Sequence, residues 1–223
     1  MPAWDTFRFD PDHDSILPVD ECWLVDPRVL VKRIDPHAAL PFANAYAAAV
    51  DELASLGYGC APDPAAGDGC PRSLVATCIV YRAEGEAPVR VAAEQRELHL
   101  RLVCTMARTD GAFVGSELAV ALEVADRLGG ANPDVRLRFR ALVRELFMNP
   151  SEARDPLAQL ASMPRPQALH ILETLRAVAW ADGYVRLAEQ RMLERVHEVL
   201  ELPAPEEQAP RVQNVRYIEP DAA

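Results

Sequence analysis

A chain of 223 residues, half of them hydrophobic, is long enough to bury a full core. Its 34 acids against 23 bases leave a net charge of −11. No Lys or Arg cluster stands out on a helix face, so direct nucleic-acid binding, which needs a basic patch for phosphates, is excluded, and an anionic membrane surface is disfavoured on the same ground.

In chain order, residues 1–35 come first as an acidic arm. Seven acids up to Asp26 stand against Arg8 alone, interleaved with Trp4, Phe7, Phe9 and Trp23. The arm is expected to lie extended over a helical core with its acids solvated, or to serve as a docking strip for a partner. The run DPDHD around His13 lacks the alternation and terminal Glu of a calcium loop and reads as solvated charge.

Residues 36–201 are expected to form one all-α domain. Ala and Leu dominate its periodic stretches, aromatics are only 6%, and prolines fall at the joints between apolar runs. This punctuation predicts seven helices at 37–56, 72–82, 89–108, 116–128, 134–148, 165–181 and 187–200, with a short turn near 152–161. The stretch YGCAPDPAAGDGCP between the first two is expected to be a mobile loop. SLVATCIVYR is short, continuous and β-branched enough to suit a strand, but is read as helix with its neighbours. Residues 202–223 are expected to form a flexible tail.

One eight-residue pattern occurs twice, as DGAFVGSE from Asp110 and DGYVRLAE from Asp182. Each copy follows an amphipathic stretch, Leu98, Leu102, Val103 and Met106 in one and Leu169, Leu172, Leu175, Val178 and Ala179 in the other. Each opens another helix, so each copy is a helix hairpin and the domain has two similar halves. Gly111 and Gly183 sit where the first helix must stop and can take a left-handed backbone at little cost. An Asp just before that glycine meets the negative end of the helix dipole, which either a bound cation or a local Asx-type hydrogen bond would offset. Glu117 and Glu189 suit the start of the next helix. The Ser or Thr that would complete a capping box three residues earlier is replaced by Val114 and Arg186, although Ser116 could cap the first copy in a shifted register.

MARTDGAFVGSELAVAL and VAWADGYVRLAEQRML resemble the TerB-like domains of bacterial tellurite-resistance systems, and the likeness reaches from about Pro36 to Leu200. The resemblance implies an all-helical domain in two halves, acidic residues that hold a divalent cation, and no established catalysis. Carried onto this chain, the acidic set is Asp110, Glu117, Asp182 and Glu189, whose oxygens suit calcium or magnesium. The resemblance also implies partners among other proteins of a stress-response or defence complex.

Little else in the chain points to chemistry. Cys22, Cys60, Cys70, Cys78 and Cys104 form no C-x-x-C pair, and an odd count fits a reducing compartment. No nucleophile motif or phosphate loop surrounds the five histidines, and His99 and His170, nearly equivalent between the halves, read as helix-surface residues. The opening MPAWDTF carries acid where an export signal needs bases, and no apolar run reaches the roughly 20 residues of a spanning helix, so a cytoplasmic location is expected. The expectation is therefore a non-enzymatic cation-binding scaffold. The alternatives are a purely structural interaction domain and, further off, a hydrolase using two of the carboxylates.

Overall fold

The computed structural model describes residues 8–203 apart from 20–21, 67–68, 72–75, 86–87, 89–93, 110–114, 150–155 and 182. The first elements are the helical turn α1 (Pro11–Asp14), strands β1 (Ser15–Val19) and β2 (Cys22–Val25), helices α2 (Pro27–Ile34) and α3 (Phe42–Ser55), β3 (Tyr58–Ala61) and β4 (Cys78–Arg82). Six further helices follow: α4 (Glu94–Ala107), α5 (Gly115–Gly129), α6 (Pro133–Met148), α7 (Pro156–Leu160), α8 (Arg165–Ala179) and α9 (Leu187–Val199).

The strands overturn the all-α expectation. They form an antiparallel sheet in the order β1-β2-β4-β3, and β4, expected as part of a helix over 72–82, is one of its two central strands. Residues on a strand alternate between faces. Val25, Cys60, Cys78 and Val80 meet α2 and α3 on one side, where Leu30, Tyr46, Ala49, Val50 and Leu53 complete a core. Cys22, Leu24, Ala61, Ile79 and Tyr81 meet Leu137 and Ala141 of α6 on the other. A strand buried on both faces shows no polar alternation, and an uninterrupted apolar run of that length cannot be told from a buried helical segment by period alone.

The acidic arm is likewise part of the fold. It supplies α1, β1, β2 and all of α2, and Asp26 caps α2 by accepting the Arg28 N–H at 2.8 Å just ahead of Pro27. Phe9 and Trp23 form an edge-to-face cluster with Tyr58, with centroids 5.1–6.3 Å apart, whereas Trp4 and Phe7 lie outside the described residues. Asp14 of the DPDHD run is not solvated. It is buried, accepts the Asp10 N–H at 2.9 Å, and pairs with the Arg33 guanidinium. The stretch expected to be a mobile loop holds β3 and a 3-10 turn at Pro64–Ala66, pinned by the Tyr46 hydroxyl on Pro62 O at 2.8 Å and by Asp63 on the Ala65 N–H at 2.9 Å.

The helices α3 to α9 fall within a few residues of their predicted spans, except that the turn near 152–161 becomes α7. The core shared by α4 to α9 runs from Leu98 to Val196 and takes in Phe139, Leu142, Val143, Leu146 and Phe147 from α6. Helix α6 therefore serves two cores. Its ends are tied to β4: Asp134 accepts the Glu84 N–H at 2.6 Å, and the Asn149 carboxamide accepts the Thr77 N–H at 2.9 Å and donates to Thr77 O at 2.7 Å. The lengths match, since 16 residues of helix span about 24 Å and the seven strand steps from Thr77 to Glu84 about 23 Å.

Two substitutions test this layering. Gly59 faces Tyr81 across the sheet, and a Cβ there would come within 2.1 Å of the Tyr81 ring. Gly59→Ala is expected to lower stability by about 1–3 kcal/mol in urea unfolding, and by clearly less in a Tyr81→Leu background, where the opposing ring is gone. Asn149→Ala leaves the Thr77 N–H and C=O without their carboxamide and should cost about 1–3 kcal/mol, read as a lower urea midpoint with little change in slope.

Candidate functional site at the twin acidic hairpins

Each repeat is a hairpin, α4–α5 and α8–α9, and the two meet chiefly where α4 packs along α8, with α5 also touching α8 and α4 touching α9. Leu98, Leu102, Val103 and Met106 of the first hairpin and Leu172, Leu175, Val178 and Ala179 of the second are all buried, as their spacing predicts; Leu169 is instead exposed. The end of α4 is held against α6, because the Arg108 guanidinium donates to Leu146 O at 2.9 Å and Phe147 O at 2.6 Å. A buried Arg138–Glu97 pair at 2.7 Å sets the rotation of α6 against α4. Such a pair is weak evidence for stability but does fix register.

The second turn is described on both sides of its aspartate. Helix α8 stops at Ala179, Gly183 takes the left-handed backbone expected of it at φ +91°, and its N–H bonds Trp180 O at 3.0 Å. Arg186 is extended and α9 begins at Leu187. Glu189 is 2% exposed, and its Oε2 accepts the Arg186 N–H at 2.7 Å. That is one half of a capping box, and it needs no hydroxyl at position 186. The absence of Ser or Thr there therefore does not remove the capping role from Glu189.

In the first hairpin Glu117 occupies the first turn of α5 and is also 2% exposed. The two glutamates thus hold equivalent, buried places at helix starts, where the dipole favours a carboxylate. Asp110, Gly111 and Asp182 lie outside the described residues. Among the described residues no three His, Cys, Asp or Glu side chains are grouped to hold a metal, a statement that leaves both aspartates out. Around the second turn Tyr184 and Leu187 are largely exposed, and the Arg186 guanidinium lies over the Tyr184 ring, 5.3 Å from its centroid.

Of the two histidines read as helix-surface residues, His170 is exposed and His99 is buried. His99 is 4% exposed on α4, its Nε2 has no hydrogen-bond partner among the described residues, and its ring stands edge-to-face with that of exposed His170 on α8 at 5.7 Å. The near-equivalence of positions 99 and 170 in the two halves was the sequence signal for this meeting. His197 is also buried. The Arg176 guanidinium donates to its Nε2 at 3.1 Å, so its Nδ1–H is assigned to Pro203 O at 2.5 Å. All five cysteines are free, and burial pushes the Cys104 thiol far up, which leaves it an inert core residue. Among the described residues no helix is long and apolar enough to cross a membrane.

Paired helical hairpins, α4–α5 and α8–α9, define a helical hairpin-repeat module. Residues 132–211 match the family described as tellurite resistance protein TerB, which supports a TerB-like domain over that stretch. The match begins at Asn132, the N-cap of α6, and takes in the second acidic hairpin but not the first. No curated protein and no solved structure matches the chain.

The buried His99 gives the protein an acid-sensitive joint. Burial, then His170 on α8 and Arg127 on α5, hold its pKa down to about 4 from 6.5. Between those values the unfolded chain binds a proton that the folded chain refuses, so stability falls as pH drops through that window and the loss is complete below about 4. The loss is at most on the order of 3 kcal/mol. Urea midpoints measured at pH 7, 5.5 and 4.5 should fall less steeply in His99→Gln than in the native chain.

Proposed function

We propose that the chain is a non-catalytic TerB-like module of the bacterial cytoplasm. It is a scaffold whose two hairpins are joined by a divalent cation held by Asp110, Glu117, Asp182 and Glu189, and it works among other proteins of a stress-response or defence complex. The observation that carries the reading is the burial of Glu117 and Glu189 at equivalent places in the two repeats. A buried carboxylate is costly unless charge or hydrogen bonds compensate it. An oxygen-only donor set suits calcium or magnesium, which such a set would neutralise while tying the hairpins together.

A second reading is favoured by one observation, the 2.7 Å hydrogen bond from the Arg186 N–H to Glu189. On this reading the glutamates start helices, the aspartates close turns, and the module is a purely structural interaction domain. The two are separated by an isosteric change, since Gln keeps an acceptor oxygen for the Arg186 N–H but removes the charge an ion needs.

Calorimetric titration of the purified chain with calcium and with magnesium is expected to show saturable binding to one of them, with a rise in melting temperature. Both responses should vanish in Asp110→Asn/Asp182→Asn and fall sharply in Glu189→Gln, whose ion-free stability stays near native. Absence of any response to either ion in the native chain would leave only the structural reading.

A further inference from the structure

His99 is a polar group that the hairpins' acidic chemistry does not use. Core packing fixes it on α4, and its buried Nε2 has no hydrogen-bond partner among the described residues, an arrangement that ordinarily costs about 1–3 kcal/mol. Across the helix interface the ring of His170 stands 5.7 Å away, centroid to centroid, with the planes at 85°. The pair thus joins α4 to α8, the contact along which the two repeats pack.

The geometry points to a site for a borderline transition-metal ion, Cu²⁺ ahead of Ni²⁺ and Zn²⁺, with His99 and His170 as its two protein ligands and water in the remaining positions. An ion bonded to two imidazole nitrogens at about 2.0–2.1 Å holds the ring centroids about 4.5–5.5 Å apart. The observed 5.7 Å is within a small rotation of the exposed His170 from that range. Imidazole nitrogens select these metals rather than calcium or magnesium, so this site is chemically separate from the carboxylates of the hairpin turns. His99 is neutral at physiological pH, so the ion displaces no proton from it. Arg127 on α5 is the cation facing the pair, and its own ion pair with Glu123 at 3.1 Å offsets its charge. On α4 the neighbouring Glu97 is committed to Arg138. Two ligands give a modest affinity, suited to an ion that comes and goes and that stiffens the joint between repeats when present.

The test is titration of tag-free, full-length protein with Cu²⁺, followed by calorimetry and by electron paramagnetic resonance. The expected result is one bound Cu²⁺ with hyperfine splitting from two nitrogens. Binding should weaken by about tenfold or more in His170→Gln, an exposed position whose change leaves folding alone, and in His99→Gln. Asp110→Asn/Asp182→Asn should bind Cu²⁺ as the native chain does, which separates this site from the acidic one. Native affinity in His170→Gln, a single-nitrogen spectrum, or loss of binding only on changing the exposed His13 or His37 would each overturn the proposal and leave an imidazole–imidazole contact only.

Discussion

Helix α6 has to satisfy two hydrophobic cores at once, and the placement of everything else follows from that. Leu137 and Ala141, one turn apart, face the sheet, while Phe139, Leu142, Val143, Leu146 and Phe147 face the helical bundle. With Leu137, Arg138, Phe139, Ala141, Leu142, Val143, Arg144, Leu146 and Phe147 all buried, the helix is covered on most of its sides. What prevents it from sliding or rotating is polar. Asp134 and Asn149 bind backbone groups flanking β4, Arg138 reaches Glu97 on α4, and its last carbonyls receive the Arg108 guanidinium. Each of these interactions is modest alone, but together they leave one registration of sheet, α6 and α4. Arg108, two residues ahead of Asp110 in the sequence, is thereby held against the end of α6.

The hairpins then show how one helix start can carry either of two roles. Buried glutamates at the first turn of α5 and α9 complement the dipoles of those helices, and in α9 the carboxylate also accepts the Arg186 backbone N–H. The same location, next to an Asp-Gly turn, is where a cation would find oxygens. Helix capping and ion binding therefore draw on the same charge, and this is why a repeated Asp and Glu pattern does not by itself distinguish them. The imidazole pair between α4 and α8 lies on a different part of the joint and carries different ligand chemistry.

Legibility followed period and punctuation. Helices α4, α5, α6, α8 and α9 were readable because each shows a 3.6-residue apolar stripe with a proline or glycine near its ends, and Gly183 stood where a left-handed residue was needed. The sheet was not. Cys78–Tyr81 is buried on both faces, so its pattern is a solid apolar run. The strands Cys22–Val25 and Tyr58–Ala61 are four residues each, too short for alternation to register. Asp14 looked solvated because its partner, Arg33, is nineteen residues away. His99 looked like a surface residue because the helix that covers it, α8, is some seventy positions further on.

The sequence by itself determined the helical hairpins and the TerB likeness of residues 132–211, because these depend on residues within one or two helical turns of each other. Only the tertiary structure decided that the acidic arm becomes sheet, that α6 is shared by two cores, and that His99 meets His170. Those outcomes depend on which surfaces are covered by distant segments, and burial by a distant segment leaves no periodic mark on the residues it covers.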